Sequence, residues 1–212
     1  MNFLKKTVKY ENESDFETVV KECAKRRADV SKKMFEGVVL QGFSGFKVEF
    51  FNCKFSRCRF ISCNFSGMDF TDCIFENCDI SNVNFNSSAF LRVEFSDCKC
   101  VGTDFSQTVI GGSAYSGCVM TYANFSNSGI KNAVFSGSDL SKGAVADCNL
   151  VKCEFSSCNL TESNFSGTKL DGIDISSCNI DGIVLHGYEL EGATVDVSQL
   201  VTLSHFLGVK IK

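Results

Sequence analysis

The stretch Phe50-Phe51-Asn52-Cys53-Lys54-Phe55-Ser56-Arg57-Cys58-Arg59-Phe60-Ile61-Ser62-Cys63-Asn64-Phe65 decides the fold, because phenylalanine returns at every fifth residue. The count runs on to Val195 without a skip. All 30 positions divisible by five between Phe50 and Val195 are apolar, and 14 of them are Phe. Among the positions between them only Phe51 is. Two residues before each centre stands a compact residue, often Cys, and Ser, Thr, Asn, Asp or Gly dominate the remaining places. On an α-helix five residues advance about 500°, so no apolar face forms. On a flat strand an odd spacing throws successive centres to opposite faces. The pattern closes only if the chain turns a corner about every five residues, four sides making a square coil of about 20 residues. The centre and the residue two before it then point inward. Stacked coils bury a core that no single coil could bury alone, here built on Phe55, Phe65, Phe75, Phe85, Phe95, Phe105, Phe125, Phe135, Phe155 and Phe165.

The rest of the composition agrees. With 212 residues and 44% apolar content, one sizeable core in one repeat phase is expected. Proline is absent, as suits a backbone laddered on every side. Eleven of the 13 cysteines occupy the inward place two before a centre, and Cys58, Cys78, Cys98, Cys118, Cys158 and Cys178 stack on one corner with Ser138 in the gap. They read as small buried hydrophobes of a reduced, cytoplasmic protein rather than as disulfides. A spacing of five is not a metal-ligand spacing, and His186 and His205 lie far from the Cys clusters in sequence. No metal or cofactor is expected. The start Met1-Asn2-Phe3-Leu4-Lys5-Lys6 reads as no secretory signal, and no run of about 18 apolar residues suggests a membrane span.

Three segments follow. Residues 1–34 form an N-terminal helical cap, in which Ser14 and Glu17 make a capping box and Phe16, Val19, Val20, Cys23 and Ala24 form the docking stripe. Residues 35–196 form the coil, with an irregular first turn where Phe43 and Phe46 flank Gly45. Gly falls two places after the centre in ten repeats, where a turn would require positive φ. Residues 197–212 form a capping helix and tail. Ser198 starts that helix, Leu200, Leu203, Phe206 and Leu207 lie on one side of it, Val197 and Val201 lie on another, and Gly208 stops it before a short strand at Val209-Lys210-Ile211.

No catalytic motif occurs, and the chain reads as a non-enzyme. Charge is the informative feature. Residues 60–209 hold 17 acidic and 6 basic residues, a net charge of −11, whereas residues 1–49 are net +2. Folded at about 20 residues per coil, Glu76, Glu94, Asp97, Glu154, Asp174 and Asp196 fall on the side centred on Phe55, Phe75, Phe95 and Tyr115, with no basic residue beyond Arg57. Such a rod carries about half the linear charge density of duplex DNA. It can enter a groove built for DNA without itself binding nucleic acid.

Repeats such as Cys63-Asn64-Phe65-Ser66-Gly67 and Ala123-Asn124-Phe125-Ser126-Asn127 resemble the A(D/N)LXX unit of pentapeptide-repeat proteins. That resemblance implies an all-β solenoid, a right-handed quadrilateral β-helix with short capping helices. Ser113-Ala114-Tyr115-Ser116-Gly117-Cys118, Gly137-Ser138-Asp139-Leu140-Ser141, and the ending Leu190-Glu191-Gly192 with Leu207-Gly208-Val209 resemble the Qnr/MfpA-type quinolone-resistance group. The resemblance implies a DNA-mimicking homodimer joined through Leu200, Leu203, Phe206 and Leu207. Its acidic side would meet a type II topoisomerase, DNA gyrase or topoisomerase IV. Two departures stand out: the repeat is uninterrupted, leaving no place for the projecting loops many Qnr proteins carry, and an N-terminal helical segment is added. They favour gyrase binding over protection from quinolones. A pentapeptide-repeat scaffold with an unrelated protein partner is the alternative.

Overall fold

The computed structural model describes residues 8–45 and 47–207. The chain winds as a parallel β-solenoid of about seven turns. From Val30 onward the paired strand residues lie 20 positions apart, as Phe55 with Phe75, Phe75 with Phe95, and Phe95 with Tyr115, whereas Glu11–Glu13 pairs with Lys33–Phe35 at an offset of 22. The Phe55 side is an eight-stranded sheet that begins with Glu11–Glu13, and the Phe70 side is a seven-stranded sheet that begins with Val30–Ser31. The Phe60 side starts as a two-stranded pair, Val39–Gln41 with Arg59–Ile61. It continues through single bridges, as the Phe65 side does from Ser44 to Val184.

The sides differ in how they turn. On the Phe60 and Phe65 sides the centre carbonyl accepts the N–H three residues on, as from Val83 to Ile80 (3.2 Å) and from Ser88 to Phe85 (3.1 Å). The Phe55 and Phe70 sides are strands of two to four residues until Ser156, and from Leu170 onward they also close as such turns. The corner place two after the centre is left-handed at Gly67, but equally at Arg57, Arg92 and Tyr122. Glycine is therefore the cheap residue at that corner, not a required one.

Inside, the ten expected core phenylalanines are all buried. Rings stack along the axis: Phe55–Phe75 at 4.4 Å, Phe75–Phe95 at 4.7 Å, Phe95–Tyr115 and Tyr115–Phe135 at 4.8 Å. Tyr115 keeps its phenol in this column without a hydrogen-bond partner among the described residues. The compact residue two before each centre has a polar task that the hydrophobe reading missed. Cys58 Sγ donates to the Phe35 carbonyl at 3.2 Å, Cys118 Sγ to Phe95 at 3.5 Å, and Cys148 Sγ to Phe125 at 3.0 Å. Ser138 Oγ and Thr103 Oγ1 make the same bond at 3.2 and 2.8 Å. Cys, Ser and Thr interchange there because each is small and donates one hydrogen bond to the coil before. All thirteen cysteines are free thiols. Burial raises the Cys63, Cys148 and Cys153 thiols, Cys148 to about 11.

The N-terminal helix α1 (Phe16–Arg26) seals one end. Its N-cap is Asp15, which accepts the Thr18 N–H at 3.0 Å, so the cap sits one residue later than the Ser14 box predicts. Glu13 instead accepts the N–H groups of Ser14 and Asp15. Phe16 enters the tube mouth and touches six rings, stacking on Phe50 at 5.7 Å and meeting Phe35 edge-on at 5.2 Å. The coil also starts earlier than residue 35, since Val30 already pairs with Phe50. At Gly45 an added Cβ would strike Met68 Cε. Met68 and Phe43 fill that missing centre. Phe46, the Gly208 stop, the Val209–Ile211 strand and the Leu207 side chain lie outside the described residues.

No helix is long and apolar enough to cross a membrane among the described residues.

Candidate partner-binding face and C-terminal end

The Phe55 side gathers the predicted acids. Ile74–Glu76, Glu94–Ser96 and Glu154–Ser156 are strands of one parallel sheet, Asp97 follows at a corner, and Asp174 and Asp196 continue the columns one and two coils beyond. Asp97, Glu154, Asp174 and Asp196 are exposed, and Glu76 and Glu94 are half-buried.

They are not equivalent. Lys54 pairs with Glu76 at 2.8 Å, and Arg57 pairs with Glu36, so the N-terminal part of the side is neutralised. None of the other five acids has a salt-bridge partner among the described residues. Asp174 accepts the Ser176 N–H at 2.8 Å, and Asp196 accepts the Ser198 N–H (2.8 Å) and Oγ (2.6 Å). These hydrogen bonds, the Ser176 and Ser198 hydroxyls first, hold both carboxyls below the usual carboxylate range. Between Asp97 and Glu154 the outward places of two coils are Ala114, Ser116, Gly117, Val134, Ser136 and Gly137. The face is thus two acidic patches separated by a smooth, neutral waist.

The other sides differ. The Phe70 side mixes Asp69, Asp72, Asp171 and Glu191 with Arg92, Lys131, Lys152 and Lys169. The Phe65 side is an amide column of Asn64, Asn84, Asn124 and Asn164, interrupted by Asp104 and Ala144. Glu189 departs from the outward pattern of the acids. Its buried carboxylate accepts the N–H of Gly167 (3.0 Å) and of His186 (2.8 Å), and meets His186 Nδ1 at 2.9 Å. Burial opposes its ionisation, but these bonds win and hold it at about 2. Nothing in the sequence marks Glu189 except its place three residues after His186.

At the C-terminal end, Asp196, not Ser198, caps a 3₁₀ turn (Val197–Gln199) that leads into α2 (Leu200–Leu203) and a second 3₁₀ turn (Ser204–Leu207). Gln199 completes a capping box and turns inward, donating to the carbonyls of Ile175 (2.9 Å) and Cys178 (2.8 Å). Of the four positions expected on one face, the three whose side chains are described, Leu200, Leu203 and Phe206, separate. Leu203 is buried against the last coil and Phe206 is partly covered, while Leu200 is 52% exposed. Val197 and Val201 are still more open, at 79% and 66%. A groove of about 680 Å³ between Leu190, Leu200, Leu203 and Phe206 lies beside them. Among the described residues, no cluster of three His, Cys, Asp or Glu side chains is placed to hold a metal ion.

The family described as a pentapeptide repeat region matches residues 48–112, 68–128 and 109–185. Among solved structures, trypsin-treated QnrB1, a plasmid-mediated fluoroquinolone resistance protein, is similar at 17% identity over 87% of this chain and 100% of that chain, with a TM-score of 0.46. HetL, a pentapeptide repeat protein involved in heterocyst differentiation regulation from the cyanobacterium Nostoc, is similar at 11% identity over 78% and 86%, with a TM-score of 0.37. Rfr23 from the cyanobacterium Cyanothece is similar at 14% identity over 77% and 91%, with a TM-score of 0.25. No curated relative matches the chain. The matched segments span most of the coil, and the chain belongs to the pentapeptide-repeat family.

Proposed function

We propose that this protein is a non-catalytic DNA mimic that binds a type II topoisomerase, DNA gyrase or topoisomerase IV, and modulates its response to quinolones. It acts as a cytoplasmic homodimer joined at the C-terminal end. The observation that carries the reading is the Phe55 side, where Glu94, Asp97, Glu154, Asp174 and Asp196 have no salt-bridge partner among the described residues. Fixed carboxylates on a stiff rod, in two patches on either side of the neutral waist, present negative charge along one face, as a phosphate backbone does. The exposed Val197, Leu200 and Val201 supply an apolar end for a second copy. Buried, unpaired thiols fit a reducing compartment.

A supercoiling assay with gyrase, with and without ciprofloxacin, tests this reading. The expected result is inhibition or altered drug sensitivity at micromolar protein, lost when Glu94, Asp97 and Glu154 are all changed to Lys. Absence of binding, inhibition and protection removes it. The neutral waist at Ala114–Gly117 and Val134–Gly137 favours a second reading, a scaffold whose partner is an unrelated protein. In that case the triple reversal leaves gyrase untouched and a pull-down recovers another protein.

A further inference from the structure

The Phe70 side carries a charge pattern that is its own complement. Phe50, Phe70, Phe90, Ile110, Ile130 and Leu150 stack there in unbroken register, with Leu170 one coil beyond. The outward places of its middle coils are small or apolar: Ala89, Leu91, Val109, Gly111 and Gly129. Val109, at the centre of that strip, is 58% exposed. Charge lies to either side. Glu49, Asp69 and Asp72 stand toward the N-terminal end, and Lys131, Lys152 and Lys169 toward the C-terminal end. Asp72 is bound by Arg92 of the next coil, but Glu49, Asp69 and the three lysines have no salt-bridge partner among the described residues.

We infer that this side is a self-association surface on which two copies lie face to face with their rods antiparallel. A two-fold axis along the Ile110 strand sets Val109 and Gly111 against themselves, and brings each coil before Ile110 against the coil equally far after it. Glu49 then meets Lys169, each directly before its centre and three coils from the axis. Asp72 meets Lys152, each two places after its centre and two coils from the axis. Both pairs form twice. Asp69 falls opposite the Asn149 amide, and Ala89 opposite Gly129. Lys131 falls on Leu91 and runs its stem along it with the ammonium in water, while Asp171 falls opposite Phe51 at the wet outer end. Parallel rods would instead set each lysine and each aspartate against its own kind, so charge selects the antiparallel pair. Packed sheets stand about 10 Å apart, a gap that a lysine and a carboxylate span together. The face is about 29 Å long and about 10 Å wide at strand spacings. That is well under the roughly 800 Å² per partner of a standard interface. The association is therefore weak and depends on its ion pairs. It uses neither the acidic Phe55 side nor the C-terminal end.

Val201→Glu, which removes the apolar contact at the C-terminal end, isolates this surface. Sedimentation of that variant at high protein concentration should show a dimer whose dissociation constant weakens about tenfold or more between about 0.05 M and about 0.5 M salt. Adding Glu49→Lys or Lys169→Glu alone should weaken the low-salt dimer by about tenfold or more. Both together should restore it, because the pairs then form with their signs exchanged. Val109→Cys in the same background should cross-link to itself through a short bis-maleimide, with peptide mapping placing the bridge at position 109 of both copies. A variant that stays monomeric at low salt, a double reversal no better than either single one, or cross-links scattered over other positions overturns the inference and leaves the face bare or kept for another molecule. The C-terminal dimer and gyrase binding are read by other variants, and they stand or fall apart from it.

Discussion

The Glu189 carboxylate receives the Gly167 N–H at 3.0 Å, standing where a backbone carbonyl of the next coil would stand in a regular repeat. In the preceding coil Asp147 N–H donates to the Ser166 carbonyl, and Gly67 N–H donates to that of Asn86. At Gly187, with φ of 101°, the chain leaves the pattern, and Glu189 restores the bond with its side chain. Replacing Glu189 by Ala strips three donors of their acceptor and should cost about 1–3 kcal/mol in denaturant unfolding. The pH dependence has a defined sign. Because the folded carboxyl is held at about 2, below its ordinary 4.5, its stabilisation is complete above pH 4.5 and fades as pH falls toward 2. Glu189→Gln should show less loss of stability than wild type across that window.

Phe16 corks the N-terminal mouth. Phe16→Ala should destabilise by about 3–5 kcal/mol, as much as Phe105→Ala in the middle of the rod. The two differ in where the damage appears. Hydrogen exchange should show lost protection confined to the first coils for Phe16→Ala, since repeats touch only their neighbours.

The inward thiols should be silent to alkylation in the native state. Cys23, on α1 and half-buried, should react first, with the other twelve labelled only on unfolding, as intact-mass measurement would show. Cys118→Ser should change stability by no more than about 1 kcal/mol, because Ser138 already makes the equivalent bond one coil on.

Tyr122 holds φ of 60° at an exposed corner. A bulky aromatic residue gains nothing sterically from that conformation. Tyr122→Gly should stabilise by up to about 1 kcal/mol, read as a rise in the denaturant midpoint. A fall would mean that the Lys142 ammonium over the ring, 5.9 Å from its centroid, outweighs the strain.

Charge at the C-terminal end separates association from folding. Val201→Glu, at a site 66% exposed, should give a monomer of unchanged stability by light scattering and thermal melting. Leu203→Glu is the wrong probe, since its side chain is packed under the helix and a charge there would unfold the end.

The sequence by itself determined the tube. A period of five admits no straight element, so the coil, its core phenylalanines and the side on which Glu94, Asp97 and Glu154 lie could all be counted off. It also placed the docking stripe of α1, because helical spacing is equally local. Tertiary structure alone decided what happens where the repeat stops. Which of Leu200, Leu203 and Phe206 turns inward depends on the shape of the last coil, and Asp196 took the cap because Gln199 had the Ile175 and Cys178 carbonyls to satisfy. The neutralisation of Glu76 by Lys54 spans 22 residues, and the burial of Glu189 answers an N–H 22 residues away. Periodicity fixes which way a side chain points. Only neighbours from the adjacent coil, brought close by winding, fix what it meets there.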